Sequence, residues 1–301
     1  MRNSSMAKII LLLCAGLLLI GAGPGPGNYT VSNPEECNSV TTENPCSEIT
    51  VTGHSKGNHE LDCTVIQPWP VGDNPIDNLP VIVWANGWGW NNNAGETTTD
   101  GYKPGLIEWA FDGPYIVVAA NQWSVQESDV LQCLEWVIDE YSVPVNPQKI
   151  GLAGHSQGGG AIIKAGDGQP NGFNITATIA MNPYGPAWVR PWKQDGQMMI
   201  LGGDDDTTTP TDSFIEVWKA VKSKGPGGLF AELQGGTHND DAWAPAADYD
   251  NPHLYNFGRY QEVTRLWWRY QLKGEGSALI DLGLLLDDED DEDDWEWEYA
   301  D

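Results

Sequence analysis

Residues 150–160 read Ile150-Gly151-Leu152-Ala153-Gly154-His155-Ser156-Gln157-Gly158-Gly159-Gly160, and this stretch decides the fold. An apolar run comes first, Gly-x-Ser-x-Gly occupies 154–158, and Ala161-Ile162-Ile163 continue as a helix would. A serine in that place sits on a strained strand-to-helix turn that lifts its hydroxyl above a sheet. A side chain at either flanking position would collide with the turn, so glycine is needed at both. The five-residue pattern by itself is common. The strand before it and the helix after it supply the context that makes Ser156 a candidate nucleophile.

Moving outward, the chain alternates two kinds of segment. Val81–Val83, Tyr115–Ala119, Ile150–Ala153, Ala177–Ala180, Met198–Leu201 and Leu229–Leu233 are short apolar runs bounded by Gly, Asn or Pro, as buried parallel strands are. Between them, Val130, Cys133, Leu134, Val137, Ile138 and Tyr141 recur at helical spacing. A second helix is expected over Thr211–Lys222, capped by Thr211 or Asp212, and a third through Arg265–Tyr270. Strands alternating with helices predict a mostly parallel central sheet with helices on both faces, in a single α/β domain. With the serine motif at a strand end, the expectation is the α/β-hydrolase fold.

A serine hydroxyl needs a base, and the base needs an orienting acid. In this fold they follow in the order serine, acid, histidine. Two histidines come after Ser156. His238 follows the run Leu229–Leu233 and the turn Gly235-Gly236-Thr237, where a base can reach back to the serine; His253 lies in a polar segment flanked by Pro252. His238 is therefore the candidate base, and His155 is expected to pack locally. The acid lies among Asp204, Asp205 and Asp206 after Met198–Leu201, and the residues themselves do not separate the three. An oxyanion needs two backbone N–H groups. Gln157, next after the serine, supplies one. Trp88, in the loop that Gly87 opens after Val81–Val83, supplies the other.

These motifs resemble those of the cutinase-like polyesterases and lipases of the α/β-hydrolase superfamily, bacterial poly(ethylene terephthalate) hydrolases included. The matching residues are Pro80–Gly87 (PVIVWANG), Gly154–Gly160 (GHSQGGG), Gly203–Pro210 (GDDDTTTP) and Gly235–His238 (GGTH), and the likeness covers roughly 60–275. The resemblance implies an acid four residues before a proline, which singles out Asp206 before Pro210. It also implies that Tyr184 is an aromatic residue against the substrate. Trp88 and Trp90, in the oxyanion loop, would line the same cleft and suit apolar or aromatic acyl groups. Trp136, Trp218, Trp267 and Trp268 fall in predicted helices and are expected in the core. The expected activity is serine hydrolysis of carboxylic esters, with aromatic polyesters among the substrates and no metal or cofactor. A carbohydrate or small-ester esterase or lipase would use the same groups, as would a peptidase. A non-catalytic surface-binding protein is the reading from a different class.

The ends of the chain carry other signals. Arg2 and Lys8 precede the apolar run Ile9–Ile20 and then Gly21-Ala22-Gly23, a pattern that predicts a signal peptide over 1–23 and an extracellular protein without membrane attachment after its removal. Residues 24–28 read as a Gly/Pro linker, 29–282 as the catalytic domain and 283–301 as an acidic disordered tail, because a block of like charges repels itself. Export leaves Cys37, Cys46, Cys63 and Cys133 where disulfides persist. Cys37–Cys46 with Cys63–Cys133 is the preferred pairing, against a buried free thiol at Cys133. The formal net charge is −28, which argues against a nucleic-acid partner and fits a protein kept soluble by surface carboxylates in saline surroundings; a monomer is expected.

Overall fold

The apolar runs become the strands of one sheet. In chain order the elements are β1 (Ser47–His54), β2 (Leu61–Gln67), β3 (Leu79–Ala85), α1 (Lys103–Asp112), β4 (Ile116–Asn121), α2 (Glu127–Asp139), β5 (Val145–His155), α3 (Gln157–Gly166), β6 (Ile175–Met181), β7 (Gln197–Gly203), α4 (Ile215–Lys224), β8 (Gly228–Leu233), α5 (Tyr260–Lys273), α6 (Gly276–Leu286) and β9 (Trp295–Ala300). The computed structural model describes residues 47–54, 61–67, 78–88, 102–139, 141, 144–167, 172–185, 196–238, 258–287 and 295–300. The predicted signal and linker, Cys37, Cys46, Trp90 and His253 lie outside these residues.

The strands lie in the order β1-β2-β4-β3-β5-β6-β7-β8-β9. Pairing is parallel from β4 through β3 and β5 to β8, and antiparallel where β1, β2 and β9 join the edges. This is the mostly parallel, single-domain α/β architecture, with the strand order of the α/β-hydrolase fold. Successive side chains on a strand point to opposite faces, and β3 shows the result. Ile82 and Trp84 join one buried cluster with Trp109 of α1 and Trp267 and Trp268 of α5. Val81, Val83 and Ala85 join the other, with Val130 of α2, Ile162 of α3 and Trp218 of α4. Trp136, Trp218, Trp267 and Trp268 are all buried, as their helical placement predicts. The chain leaves β3 for β4 on one side and returns to β5 on the other. The carboxyl ends of β3 and β5 therefore lie at a topological switch point, the place where open α/β sheets bind ligands.

Cys63 of β2 is bonded to Cys133 of α2, with the two Cα atoms 5.8 Å apart. The helical stripe that buries Cys133 is the same one that brings it onto β2.

The segments that flank the acid run have regular structure, while the run itself, 288–294, lies outside the described residues. Within 283–301, predicted to be disordered, residues up to Leu286 complete α6 and Trp295–Ala300 form β9, which pairs antiparallel with β8. The physical reason is the period-two pattern Trp295-Glu296-Trp297-Glu298-Tyr299. Trp295, Trp297 and Tyr299 pack against one core cluster. Glu298, on the opposite face, accepts hydrogen bonds from Trp218 Nε1 (2.9 Å) and Lys222 Nζ (3.0 Å).

Candidate active site

β5 ends at His155, α3 begins at Gln157, and Ser156 between them has φ 53° and ψ −122°. Such a backbone is strained for a residue with a side chain and persists only where its surroundings hold it. Here they do: Ser156 N donates to Met181 O (2.9 Å), and Ser156 O accepts from Gly160 N (3.1 Å) and Tyr184 N (2.7 Å). The flanking glycines are required by space. A Cβ on Gly154 would lie 2.7 Å from the Gly158 carbonyl, and one on Gly158 would lie 2.1 Å from Ala85 O.

The loops after β7 and β8 bring two more side chains to this turn. His238 Nε2 lies 2.9 Å from Ser156 Oγ, and His238 Nδ1 lies 2.7 Å from Asp206 Oδ2. The Asp206 side chain is buried, whereas Asp204 and Asp205 are exposed. Asp204 instead accepts from Gly235 N at 2.6 Å and so braces the turn before His238. Five donors converge on Asp206. Its Oδ2 accepts from His238, Asn182 Nδ2 (2.8 Å) and Thr209 Oγ1 (2.7 Å); its Oδ1 accepts from Thr208 N (2.7 Å) and Thr209 N (2.8 Å). Burial alone would raise this carboxyl's pKa, but the hydrogen bonds from His238 and Thr209 outweigh it and hold the group well below the usual carboxylate range. An ionised Asp206 keeps the proton of neutral His238 on Nδ1, which leaves Nε2 to accept from the serine hydroxyl. The arrangement can thus draw a proton from Ser156 and compensate the imidazolium that results.

Several described groups border Ser156. Gln157 opens α3, so its N–H belongs to the first helical turn, which has no intrahelical acceptor. A Cβ on Gly87 would lie 3.3 Å from Ser156 Cβ, which sets the Gly87–Trp88 turn against the serine. Trp88 is 58% exposed and Tyr184, whose N–H bonds Ser156 O, is 62% exposed. Gln157 Nε2 donates to Ser124 Oγ (2.6 Å) in the loop after β4, which also carries the exposed Trp123.

Several supporting residues have no sequence motif. Asn182, with a positive φ of 41°, donates to Asp206 and to Thr237 O (3.0 Å) and accepts from Tyr260 Oη (2.8 Å). His155 does pack locally, but it bridges two parts of the site. Its Nδ1 lies 2.8 Å from Tyr102 Oη and its Nε2 lies 2.7 Å from His238 O. Burial, and then the nearby His238, lower the His155 pKa to about 3, so it is neutral at ordinary pH. For Asn182 the one local hint is its place just after a strand run (Ala177–Ala180, then Asn182-Pro183).

Fold and site together define an α/β-hydrolase scaffold with a Ser–His–Asp hydrogen-bonded chain at the carboxyl edge of its sheet. No protein-family model matches the chain. It is 22% identical over 246 residues to a bis(hydroxyethyl) terephthalate hydrolase of Streptomyces coelicolor, an alignment that covers 74% of this chain and 73% of that protein.

Proposed function

We propose that this protein is a secreted serine carboxylic-ester hydrolase of the cutinase-like, polyester-cleaving kind. The observation that carries the reading is the unbroken chain Ser156 Oγ–His238–Asp206 at 2.9 and 2.7 Å, on a serine held at φ 53°. The distant likeness to a terephthalate ester hydrolase supports an ester as substrate.

In this mechanism His238 Nε2 takes the Ser156 proton as Oγ attacks the ester carbonyl. The N–H groups of Gln157 and Trp88 receive the oxyanion, and Asp206 fixes the imidazole and stabilises its charged form. His238 then protonates the departing alcohol. Water, activated by the same imidazole, releases the acid from Ser156. No step calls for a cofactor. Trp88 and Tyr184, exposed on opposite loops beside Ser156, offer apolar faces to an aromatic acyl group.

The test is hydrolysis of 4-nitrophenyl butyrate, bis(hydroxyethyl) terephthalate and an aromatic polyester film, with Ser156→Ala as the control. Cleavage of all three, lost in the variant, is expected. Cleavage of the soluble esters alone removes the polymer from the reading and leaves an esterase. Activity that survives in Ser156→Ala overturns the mechanism.

A further inference from the structure

We infer that Tyr102 and His155 form a buried positioning relay that ties the Gly87–Trp88 turn to the loop carrying His238, and so sets the distance between the two halves of the site. This rests on the esterase reading above. Three hydrogen bonds make the relay: Gly87 N to Tyr102 Oη at 3.2 Å, Tyr102 Oη to His155 Nδ1 at 2.8 Å, and His155 Nε2 to His238 O at 2.7 Å.

Only one arrangement of protons fits. A backbone amide only donates and a carbonyl only accepts. His155 must therefore carry its proton on Nε2, to donate to His238 O, and its Nδ1 must be an acceptor. The Tyr102 hydroxyl accepts from Gly87 and gives its own proton to Nδ1. Every group is used, so the relay has a single register and no rotational slack.

Its surroundings keep it neutral and fixed. Tyr102 and His155 are both buried. Burial raises the Tyr102 hydroxyl well above its usual pKa and lowers His155 to about 3. Neutrality of His155 matters because its ring centre lies 4.8 Å from that of His238. A positive charge there would oppose the imidazolium that His238 must form. The Tyr102 ring is anchored against Trp84 of β3 (4.9 Å between centres), which in turn meets Trp109 of α1 (5.8 Å). At the other end, a Cβ on Gly87 would lie 2.8 Å from Tyr102 Oη, 3.1 Å from His155 Nδ1 and 3.3 Å from Ser156 Cβ. The relay, the oxyanion turn and the nucleophile thus meet within one contact shell. Displacement of a catalytic group by about 1 Å can cost about 10²-fold in rate.

The experiment compares Tyr102→Phe, His155→Gln, His155→Leu and the double variant Tyr102→Phe/His155→Gln with the wild-type protein. It reads kcat and KM on 4-nitrophenyl butyrate, inhibition by phenylboronic acid, whose tetrahedral serine adduct needs both halves of the site, and the melting temperature. Tyr102→Phe is expected to lower kcat about 10- to 100-fold with KM within about twofold, and to weaken phenylboronic acid in parallel. Glutamine can keep the donor to His238 O, so His155→Gln is expected to retain more activity than His155→Leu. The double variant should lose no more than the worse single variant, because both break one chain. If His155→Leu does not fold, Tyr102→Phe and the double variant still decide the matter. A folded Tyr102→Phe with kcat within about twofold of wild type, or losses that multiply in the double variant, would overturn the relay while leaving an active esterase intact. A wild-type protein that cleaves no ester overturns both readings.

Discussion

Replacing Asp206 by asparagine tests the site through its most densely bonded group. The two backbone donors, Thr208 N and Thr209 N, hold Oδ1 at 2.7 and 2.8 Å and cannot turn away. The amide oxygen of the introduced asparagine must stay with them. Its NH2 then replaces Oδ2 and points two protons toward three donors: His238 Nδ1, Asn182 Nδ2 and Thr209 Oγ1. His238 can relieve the conflict by moving its proton from Nδ1 to Nε2, but Nε2 then faces Ser156 Oγ as a donor and cannot act as the base. A wrong imidazole tautomer of this kind lowers kcat by about 10⁴ in enzymes with this constellation, which at about 1.36 kcal/mol per tenfold is about 5.4 kcal/mol of lost transition-state stabilisation. The assay is steady-state hydrolysis of 4-nitrophenyl butyrate by Asp206→Asn, with circular dichroism to establish that the variant is folded. The expected result is a loss in kcat of about three to four orders of magnitude with KM little changed. A folded variant that loses less than about tenfold would show that Asp206 does not set the tautomer of His238, and the mechanism would need another acid.

The same carboxylate predicts a pH dependence of stability. Its folded pKa lies below its unfolded value of about 3.9, so its stabilisation is fully present above that value and is lost as pH falls toward the folded pKa; as pH drops below about 4, melting temperature should therefore fall more steeply in wild type than in Asp206→Asn, and equal slopes would refute this. The Cys63–Cys133 bond closes a sequence separation of 70 residues, so the double Cys→Ser variant should lose about 4 kcal/mol by chain entropy, read from urea unfolding; a loss under about 1 kcal/mol would mean that the bond constrains little. Trp295 is buried against Tyr260, with ring centres 5.8 Å apart, and Trp295→Ala should cost about 3–5 kcal/mol, which chemical denaturation measures; a near-neutral effect would detach β9 from the core. Trp88→Ala and Tyr184→Ala should each slow polyester-film hydrolysis severalfold more than 4-nitrophenyl butyrate hydrolysis, and equal losses on both substrates would remove these rings from polymer binding.

What can be read in the sequence is what close packing dictates locally. Gly154 and Gly158 are legible because a Cβ at either would strike backbone, and the alternation of apolar runs with helical stripes carries the parallel sheet. The choice among Asp204, Asp205 and Asp206 is not a local matter, since three neighbouring carboxylates differ only in what the turn at 206–209 does with them. That turn buries one and leaves two in water; only the resemblance, through Pro210, points to the one that lies beside His238. The partners that hold the site together are remote in sequence: Tyr102 and His155 are 53 residues apart, and Asn182 and Tyr260 are 78 apart. No pattern within a window of the chain joins such pairs, because the sheet does the joining. At the carboxyl end the period-two pattern, not the acid run before it, forms the described strand. Trp295 buries an indole side chain, and burial of apolar area of that size stabilises a strand. The alternation of tryptophan and glutamate over 295–299 therefore specifies a strand. It also has a bearing on the site, for Trp295 packs on Tyr260, Tyr260 donates to Asn182, and Asn182 donates to Asp206. β9 thus stands three contacts from the carboxylate bonded to His238.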